Sequence, residues 1–310
     1  MLKFLIRRIL MMLGTMLAVS VLTFLLLEVN GDSVVIKVLG PYSTQEQRVI
    51  WLDANGYNEP AFQRYFTWLG DALRGDFGES IRYRAPVAEV LWPRLGNTAL
   101  LAAVVFGIMV PLSITAGVLA GMNEGGIADR LISTTSILTT SVPEFASAVF
   151  LAFLFVFYLG WFPATSTMTG GFDPLQLVMP AMVLILFGFG YIARMMRASM
   201  AEVMQSNYIR TAVLRGLPFS RVVMRHGLRN ALIAPFTVII LQINWLLSGV
   251  IVVEFFFAYR GFGALILEAS LTQDIKLLQA CTMVSVIVAV TTQTIADIGY
   301  GYLNPRVRVA

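Results

Sequence analysis

Six separate stretches of the sequence are each long and apolar enough to cross a lipid bilayer. A helical span needs about 20 mainly apolar residues to cover roughly 30 Å of hydrocarbon. The stretches are Ile9–Val29, Thr98–Met122, Ser136–Gly160, Leu175–Met195, Ala231–Val253 and Leu277–Ile298. Only 13% of the residues are charged, against about 25% in soluble domains, so a water-soluble core cannot account for these runs. We predict an all-α integral membrane protein with six transmembrane helices.

The basic N-terminal residues Lys3, Arg7 and Arg8 could be mistaken for the start of a signal peptide. The apolar run that follows is about twice as long as a signal-peptide core, and no convincing small-residue cleavage site comes after it. We therefore predict that this run is retained as the first span.

The distribution of basic residues predicts the orientation, because short loops rich in arginine and lysine stay in the cytoplasm. The arginines of the segment after the fourth span are Arg194, Arg197, Arg210, Arg215, Arg221, Arg225 and Arg229. The one acid among them is Glu202, whereas the Trp161–Pro174 loop carries only the negative Asp173. With an even number of spans, we expect both termini and this segment in the cytoplasm, with Arg306 and Arg308 near the C-terminal end. We expect the arginines to form a solvated, phosphate-facing surface.

The first segment outside the membrane, about residues 30–93, predicts a small helical insertion. Ser43-Thr44-Gln45-Glu46 has the form of a capping box ahead of a short helix that ends near Gly56. Pro60 opens a second predicted helix, which Gly75 closes. The apolar side chains of that helix recur at helical spacing at Phe62, Tyr65, Phe66, Leu69 and Leu73. The insertion is either a structural lid or a dock for an external partner, and the sequence favours neither strongly.

The arginine-rich segment predicts a short amphipathic helix outside the membrane. Asn207 is a suitable N-cap, the two turns cover Tyr208–Arg215, and Gly216 suits the left-handed stop. Ile209 and Val213 share one face of this helix. Such a helix either presents an apolar ridge to a partner or lies on the membrane surface, held by its arginines to anionic lipid. Physical reasoning alone leaves both readings open.

The same segment resembles the cytoplasmic loop of permeases from binding-protein-dependent ABC importers. That loop carries a Glu-Ala-Ala, three-residue, Gly pattern, which reads here Arg210-Thr211-Ala212, Val213-Leu214-Arg215, Gly216. Arg210 stands in place of the usual Glu, and Arg229 stands where a Pro is often found. At both positions the sequence resembles the peptide-transporter branch of the superfamily.

The resemblance covers nearly the whole chain, and the long first external segment resembles the B-type subunit of dipeptide and oligopeptide permeases. Further matching motifs are Arg7-Arg8, Gly75-Asp76-Phe77-Gly78-Glu79-Ser80, Ser141-Val142-Pro143, Gly261-Phe262-Gly263 and Asn304-Pro305-Arg306-Val307-Arg308. Minor departures are Gly96 for a usual Pro, Gln273 for a usual Arg and Asn304 for a usual Asp. This branch also carries nickel, glutathione and sugars, so the resemblance implies peptides as the first expectation and leaves those substrates as alternatives.

The resemblance implies a type I ABC importer permease in the bacterial inner membrane. The implied organisation is an N-terminal span at 1–29, a periplasmic insertion at 30–93, and a five-helix core at 94–310 that contains a coupling loop at 197–230. The implied partners are two ABC ATPase subunits, a second permease of the C-type, a periplasmic substrate-binding protein and the lipid bilayer, with no nucleic acid. In the family each ATPase cradles the short cytoplasmic helix of one permease. The coupling residues implied here are Tyr208, Ile209, Arg210, Thr211, Ala212, Arg215 and Gly216.

We do not expect the chain to be an enzyme, or to hold a cofactor or metal. A P-loop needs a Lys followed by Ser or Thr, whereas Lys3, Lys37 and Lys276 are followed by other residues. A single cysteine, Cys281, and a single histidine, His226, cannot supply the usual four ligands of a zinc site. Partner subunits are therefore expected to hydrolyse ATP.

Charged residues inside spans are costly and are candidates for function. Glu144 should lie about 12 Å along the third span, where it and Ser141 are candidates for the translocation path. The alternative is a structural pairing of Glu144 with Ser141 or with an arginine of another subunit. Glu254 and Asp297 lie nearer span ends, and we expect them to be structural. The rival function is an ion-coupled secondary carrier, which the unpaired Glu144 and the absence of repeated halves argue against.

Overall fold

The computed structural model describes residues 2–28 and 31–303, and most of them are helical. The elements before the sixth helix are α1 (Leu2–Glu28), α2 (Gly31–Leu39), α3 (Gln45–Ala54), α4 (Ala61–Leu73), β1 (Glu79–Ser80), β2 (Ala85–Pro86) and α5 (Val87–Met122). The middle elements are α6 (Ile127–Ser141), α7 (Glu144–Leu151), the π-helix π1 (Ala152–Tyr158) and α8 (Pro174–Met204). The remaining ones are α9 (Asn207–Leu214), α10 (Phe219–Arg221), the π-helix π2 (Val222–Gly227), α11 (Leu228–Ala231), α12 (Ile233–Phe256), α13 (Phe262–Leu271) and α14 (Ile275–Leu303). The predicted C-terminal motif Asn304-Pro305-Arg306-Val307-Arg308 lies outside the described residues.

The long apolar helices confirm the predicted multi-spanning, all-α fold. Within the described residues, four helices are long and apolar enough to cross a membrane, namely Ile6–Glu28, Val87–Met122, Pro174–Met204 and Ile275–Ala296. Two bent pairs of helices raise the number to six if each pair forms one span. α8 stays a single helix through Pro180 and continues past its predicted end at Met195.

The third predicted span, Ser136–Gly160, is formed by a bent pair of helices that together are long and apolar enough for one span. The chain bends by 104° between Ile127–Ser141 and the helix that follows. Val142 has an extended backbone, with φ −96° and ψ 125°, which is the conformation preferred before a proline. Pro143 has no N–H with which to continue the preceding helix. Hydropathy records how apolar the run is but does not record this break.

The fifth predicted span begins with a second bend. The helical segment Phe219–Ala231 is bent by 51° from Ile233–Ile243. Pro235 follows in the first turn of α12, where it cannot donate a hydrogen bond to the carbonyl of Ala231 four residues earlier. The bend therefore falls where the proline weakens the helical ladder.

The chain divides into two compact units. One unit comprises Met1–Thr98 with Arg260–Thr294, and the other comprises Ala99–Tyr259 with Ile295–Ala310. The core of the first unit is formed where the beginning of α5 packs against α13 and α14. In the second unit, buried side chains of α5, α7, α8 and α12 form the largest hydrophobic cluster of the described residues.

In the first unit, the buried carboxylate of Glu28 joins the end of α1 to two later segments. Lys276 Nζ lies 2.5 Å from Glu28 Oε1, and the Tyr57 hydroxyl donates to Glu28 Oε2 at 2.8 Å. Burial and the neighbouring carboxylate raise the pKa of Tyr57 well above its usual range. Tyr57 therefore keeps its proton, and remains a donor to Glu28, at any physiological pH.

A second buried carboxylate, Asp274, fixes the strand pair β1–β2 to the start of α14. Asp274 Oδ2 accepts hydrogen bonds from Ser80 Oγ at 2.5 Å and from the Arg82 amide at 3.0 Å. Its other oxygen accepts from the Leu277 amide at 3.2 Å, as an N-terminal cap does. The motif that ends in Ser80 is thus held by a residue almost two hundred positions later in the sequence.

The segment between α1 and β1 contains both of the predicted short helices, and the capping box of the first lies one residue later than predicted. The capping box is formed by Thr44 and Gln47, one residue later than predicted, because the Thr44 side chain accepts from the Gln47 amide and the Gln47 side chain accepts from the Thr44 amide. Pro60 precedes α4 as predicted, and Gly75 adopts the left-handed backbone with φ +87°.

We predict that Asp274→Ala lowers the free energy of unfolding of the chain by at least about 3 kcal/mol, because the buried Ser80 hydroxyl and Arg82 amide lose an ionised acceptor. Thermal denaturation of the purified chain in detergent measures this change. The adjacent variant Thr272→Ala is the control, since Thr272 is exposed and bonds only within its own helix. Equal midpoints for the two variants would contradict the assignment.

Candidate functional site

The candidate site is built on α9, the short helix that follows α8 after a two-residue turn. Ser206 is its N-cap, in place of the predicted Asn207, which is the first helical residue. The Ser206 hydroxyl donates back to the Val203 carbonyl at 2.6 Å. At the other end Gly216 has φ +74°, as predicted from its position after the helix, and this backbone is strained for residues that have a Cβ.

Five of the seven residues predicted to couple to an ATPase lie on α9, and the other two, Arg215 and Gly216, directly follow its end. Ile209 and Ala212 are buried, and Ile209 is only 3% exposed. Their contacts are with Val222 of π2 and with side chains at the end of α8. The remaining five residues are exposed, namely Tyr208, Arg210, Thr211, Arg215 and Gly216. The predicted apolar ridge through Ile209 and Val213 is therefore divided, because Ile209 faces its own chain and Val213 is exposed.

Sequence reasoning missed Leu214, which is 81% exposed on the outward side of α9. Helical geometry places Leu214 one turn from Arg210 and beside Thr211, opposite the buried pair Ile209 and Ala212. Val213, its neighbour in the chain, is 51% exposed, so α9 presents two adjacent apolar side chains that the described part of its own chain leaves uncovered. The sequence did contain a signal for it, because Leu214 is one of the three residues between Ala212 and Gly216 in the loop pattern.

The support beneath α9 comes from π2 and α11. The Asn230 side chain donates to the Tyr208 hydroxyl at 3.2 Å and to the His226 carbonyl at 3.0 Å. π-Helical turns are rare in proteins overall, and those that do occur are often found at functional sites. The eight-residue α9 is too short to be stable alone, so these contacts, with the burial of Ile209 and Ala212, set its position.

A partly buried ion pair lies near the end of α8, where the sequence predicted only a solvated arginine row. Arg197 donates to both oxygens of Asp129, at 3.0 and 2.7 Å. Asp129 also accepts from the Gly125 amide and the Ser133 hydroxyl. The prediction was wrong for Arg197, while the other six arginines of the row are exposed. It missed Asp129 because this acid precedes the third predicted span and carries no spacing signal.

Three glycines allow helices of the second unit to approach closely. A Cβ at Gly190 of α8 would lie 2.3 Å from the Ser136 carbonyl of α6. On α5, a Cβ at Gly117 would lie 2.5 Å from Met196 Cβ, and one at Gly121 would lie 2.7 Å from the Arg197 carbonyl. Gly117 and Gly121 are four residues apart, which is the small-xxx-small spacing of close helix contacts in membranes.

The two residues predicted to line a translocation path lie on either side of the Pro143 bend. Glu144 opens α7 and accepts a hydrogen bond from Trp245 Nε1 at 3.2 Å. The Ser141 hydroxyl donates to the Ile137 carbonyl within its own helix at 2.7 Å. The predicted depth of Glu144 assumed a straight helix and does not hold. Glu254 is fully buried at the end of α12, and the side chain of Asp297 lies outside the described residues.

The apolar helices indicate a multi-pass membrane protein. Residues 113–309 match the model of one family, described as binding-protein-dependent transport system inner membrane component. The chain belongs to this family.

Relatives with known names match over the full length. The oligopeptide transport system permease protein AppB of Bacillus subtilis is 33% identical, with 98% of each chain covered. The oligopeptide transport system permease protein OppB of Haemophilus influenzae is 31% identical, covering 99% of this chain and all of the relative. A putative peptide transport system permease protein of Brucella abortus (strain 2308) is 33% identical over 98% of both chains.

We predict that Asp129→Ala destabilises the chain by about 1.5–3 kcal/mol, because Arg197, the Gly125 amide and the Ser133 hydroxyl lose their shared acceptor. Arg197 keeps only the longer contact with Glu124 Oε1, at 3.5 Å. The matched control is Arg130→Ala, which removes a neighbouring exposed side chain. Thermal denaturation in detergent, with the yield of monodisperse protein as a second readout, distinguishes the two variants. If the midpoint of Asp129→Ala equals that of Arg130→Ala, the ion pair does not stabilise the second unit.

Proposed function

We propose that this chain is a permease subunit of an ATP-driven importer of peptides, and that α9 is its coupling helix. The observation that carries the proposal is the division of α9 into a buried face anchored by Ile209 and Ala212 and an outward face that includes Arg210 and Leu214. The full-length similarity to oligopeptide transport permeases supports peptides as the substrate. Nickel, glutathione and sugars are the alternatives to be tested beside them.

The proposed assembly contains two ABC ATPase subunits, a second permease of the C-type and an extracytoplasmic substrate-binding protein. Both termini and α9 lie on the cytoplasmic side, where the ATPases bind nucleotide. The exposed arginines after α8 support this orientation. The ATPases supply the energy by hydrolysis, and this chain supplies part of the path.

The proposed mechanism transmits ATPase closure through a rigid contact. Leu214, Arg210 and Thr211 fill the groove of the ATPase, while Ile209 and Ala212 keep α9 seated on its own chain. A displacement of α9 then moves π2 and, through the two-residue turn, the end of α8. Arg215 and Gly216 shape the exit of the helix, and the positive φ of Gly216 permits its sharp turn.

We propose that Glu144 and Ser141 line part of the translocation path. The Trp245 side chain holds the Glu144 carboxylate, and it also stacks on Phe187 with ring centroids 4.6 Å apart. We therefore propose that Glu144 orients the wall of the path, with Ser141 exposed at the bend beside it.

Reconstitution of the complete transporter tests the proposed function. The tagged chain is purified gently, its partners are identified by mass spectrometry, and the complex is placed in liposomes with the recovered binding protein. We expect P-loop ATPases and a second six-span permease to co-purify, and labelled peptides to accumulate only with ATP. Uptake of Ni²⁺, glutathione or a sugar in place of peptides would correct the substrate. Transport by the chain alone on an ion gradient would overturn the importer assignment.

We predict that Leu214→Ala weakens binding of the ATPase subunit to the reconstituted permease without unfolding it. Loss of one buried leucine side chain costs about 2 kcal/mol, which is roughly a 30-fold loss of affinity. Titration of purified ATPase onto nanodisc-embedded permease measures the change, and uptake should fall with it. Leu214→Met is the matched control and should bind nearly as the unchanged chain does.

A variant on the buried face of α9 provides the contrast to Leu214→Ala. Ile209→Ala should lower the thermal stability of the permease itself, because Ile209 is buried against Val222. If Leu214→Ala left ATPase binding unchanged while Ile209→Ala abolished it at full stability, the assignment of the two faces would be reversed.

A further inference from the structure

Helix α4 of the external segment carries an apolar flank that no described part of the chain covers. We call this flank the outer stripe, and it consists of Phe62, Phe66, Leu69 and Leu73. Phe62 is 73% exposed, Phe66 53% and Leu73 80%, and Leu69 is half-buried. The spacing of these residues, at i, i+4, i+7 and i+11, places them on one side of the helix. The two phenylalanine rings are in edge contact, with centroids 4.9 Å apart.

The adjacent face of α4 is fixed to the first span. The Tyr65 hydroxyl lies 2.7 Å from Ser20 Oγ, and both side chains are buried. The Tyr65 ring also meets the Phe24 ring edge-on at 5.5 Å between centroids. Ser20 and Phe24 belong to α1, which crosses the membrane as Ile6–Glu28.

These contacts set the depth of α4 in the bilayer. Ser20 precedes Glu28 by eight residues, so the Tyr65 hydroxyl lies about 12 Å inside the outer end of α1. The neighbouring Arg64 points the other way, since its Nη2 donates to the Glu28 carbonyl at that end at 3.0 Å. The Tyr65 ring is thus directed toward the bilayer interior and the Arg64 cation toward the membrane surface, as amphipathic side chains are at a membrane interface.

At this depth in the bilayer, lipid is the partner that we expect to contact the outer stripe. At the same depth α1 exposes Leu22, Leu25 and Leu26, so the stripe continues the apolar surface of a membrane span. The next flank of α4 is polar, with Gln63 and Thr67 exposed. A helix with this division lies in the interfacial plane with its apolar side about 5–10 Å below the headgroup boundary.

We propose that α4 is an interfacial helix, and that the outer stripe is inserted among the acyl chains of the outer leaflet in the assembled transporter. The stripe anchors the external segment at a fixed height beside the first span. The polar flank of the helix then faces water, where an extracytoplasmic protein can approach without touching the stripe.

Spin labelling of single cysteines tests the proposal. The chain has one cysteine, the buried Cys281, which Cys281→Ser removes. Phe66→Cys places a nitroxide in the outer stripe, and Thr67→Cys places the matched control on the polar flank. Both variants are reconstituted with their partner subunits in nanodiscs of phosphatidylethanolamine and phosphatidylglycerol. Power saturation then compares collisions with oxygen, which concentrates in lipid, and with a water-soluble nickel chelate.

We expect the oxygen-to-nickel collision ratio to be several-fold higher at position 66 than at position 67. Frequent nickel collisions at position 66 would place the stripe in water and overturn the proposal. Protection from both reagents would mean that a protein covers it, with the same consequence. Loss of the oxygen signal only when the binding protein is added would show a protein dock instead of a lipid anchor. Phe62→Cys in the same stripe repeats the measurement if Phe66→Cys does not fold.

Discussion

Close contact between helices at glycine is the interaction on which the second unit depends. Lipid tails are as apolar as leucine, so burial of apolar surface alone does not hold membrane helices together, and van der Waals packing at small residues does. Gly117, Gly121 and Gly190 bring α5 and α6 against α8 at distances that leave no room for a Cβ. The Asp129–Arg197 pair adds a charged contact between α6 and α8 near the end of this packed region. α8 is thereby held along much of its length, and it ends two residues before α9.

The position of α9 is a property of its surroundings and not of its own sequence. Eight residues do not form a stable helix in water, and the burial of Ile209 and Ala212 against π2 compensates for this. The proposed ATPase contact requires a rigid surface to transmit force, and α9 is supported by α8, a long apolar helix, and by π2, which α11 joins to α12. The exposed Leu214 lies on the side that this support leaves free.

The sequence predicted the features that depend on local composition, and it missed those that depend on distant partners. The lengths of the apolar runs predicted the spans. The position of Gly216, directly after two amphipathic helical turns, predicted the end of α9. Hydropathy could not predict the bend before Pro143, because proline is tolerated in some membrane helices, as Pro180 is in α8. Asp129 and Arg197 are 68 residues apart, and no periodic pattern links them. The seven residues predicted to couple to an ATPase lie on or directly after one helix, but which of them face inward depends on Val222, which lies beyond it.

The break at Pro143 gives the proposed path a basis that does not require the charge of Glu144. If α6, α7 and π1 together form one span, the extended Val142 lies at membrane depth with its helical hydrogen bonding interrupted. Irregular backbone at that depth is tolerated only against protein or beside a water-filled cavity, because lipid cannot bond the freed groups. Ser141, Val142 and Pro143 are exposed on this chain, so another subunit or water must cover them in the assembly. The proposed second permease, packed beside α6, or the proposed hydrated path would satisfy this requirement, whereas a lipid-facing position for the bend would not.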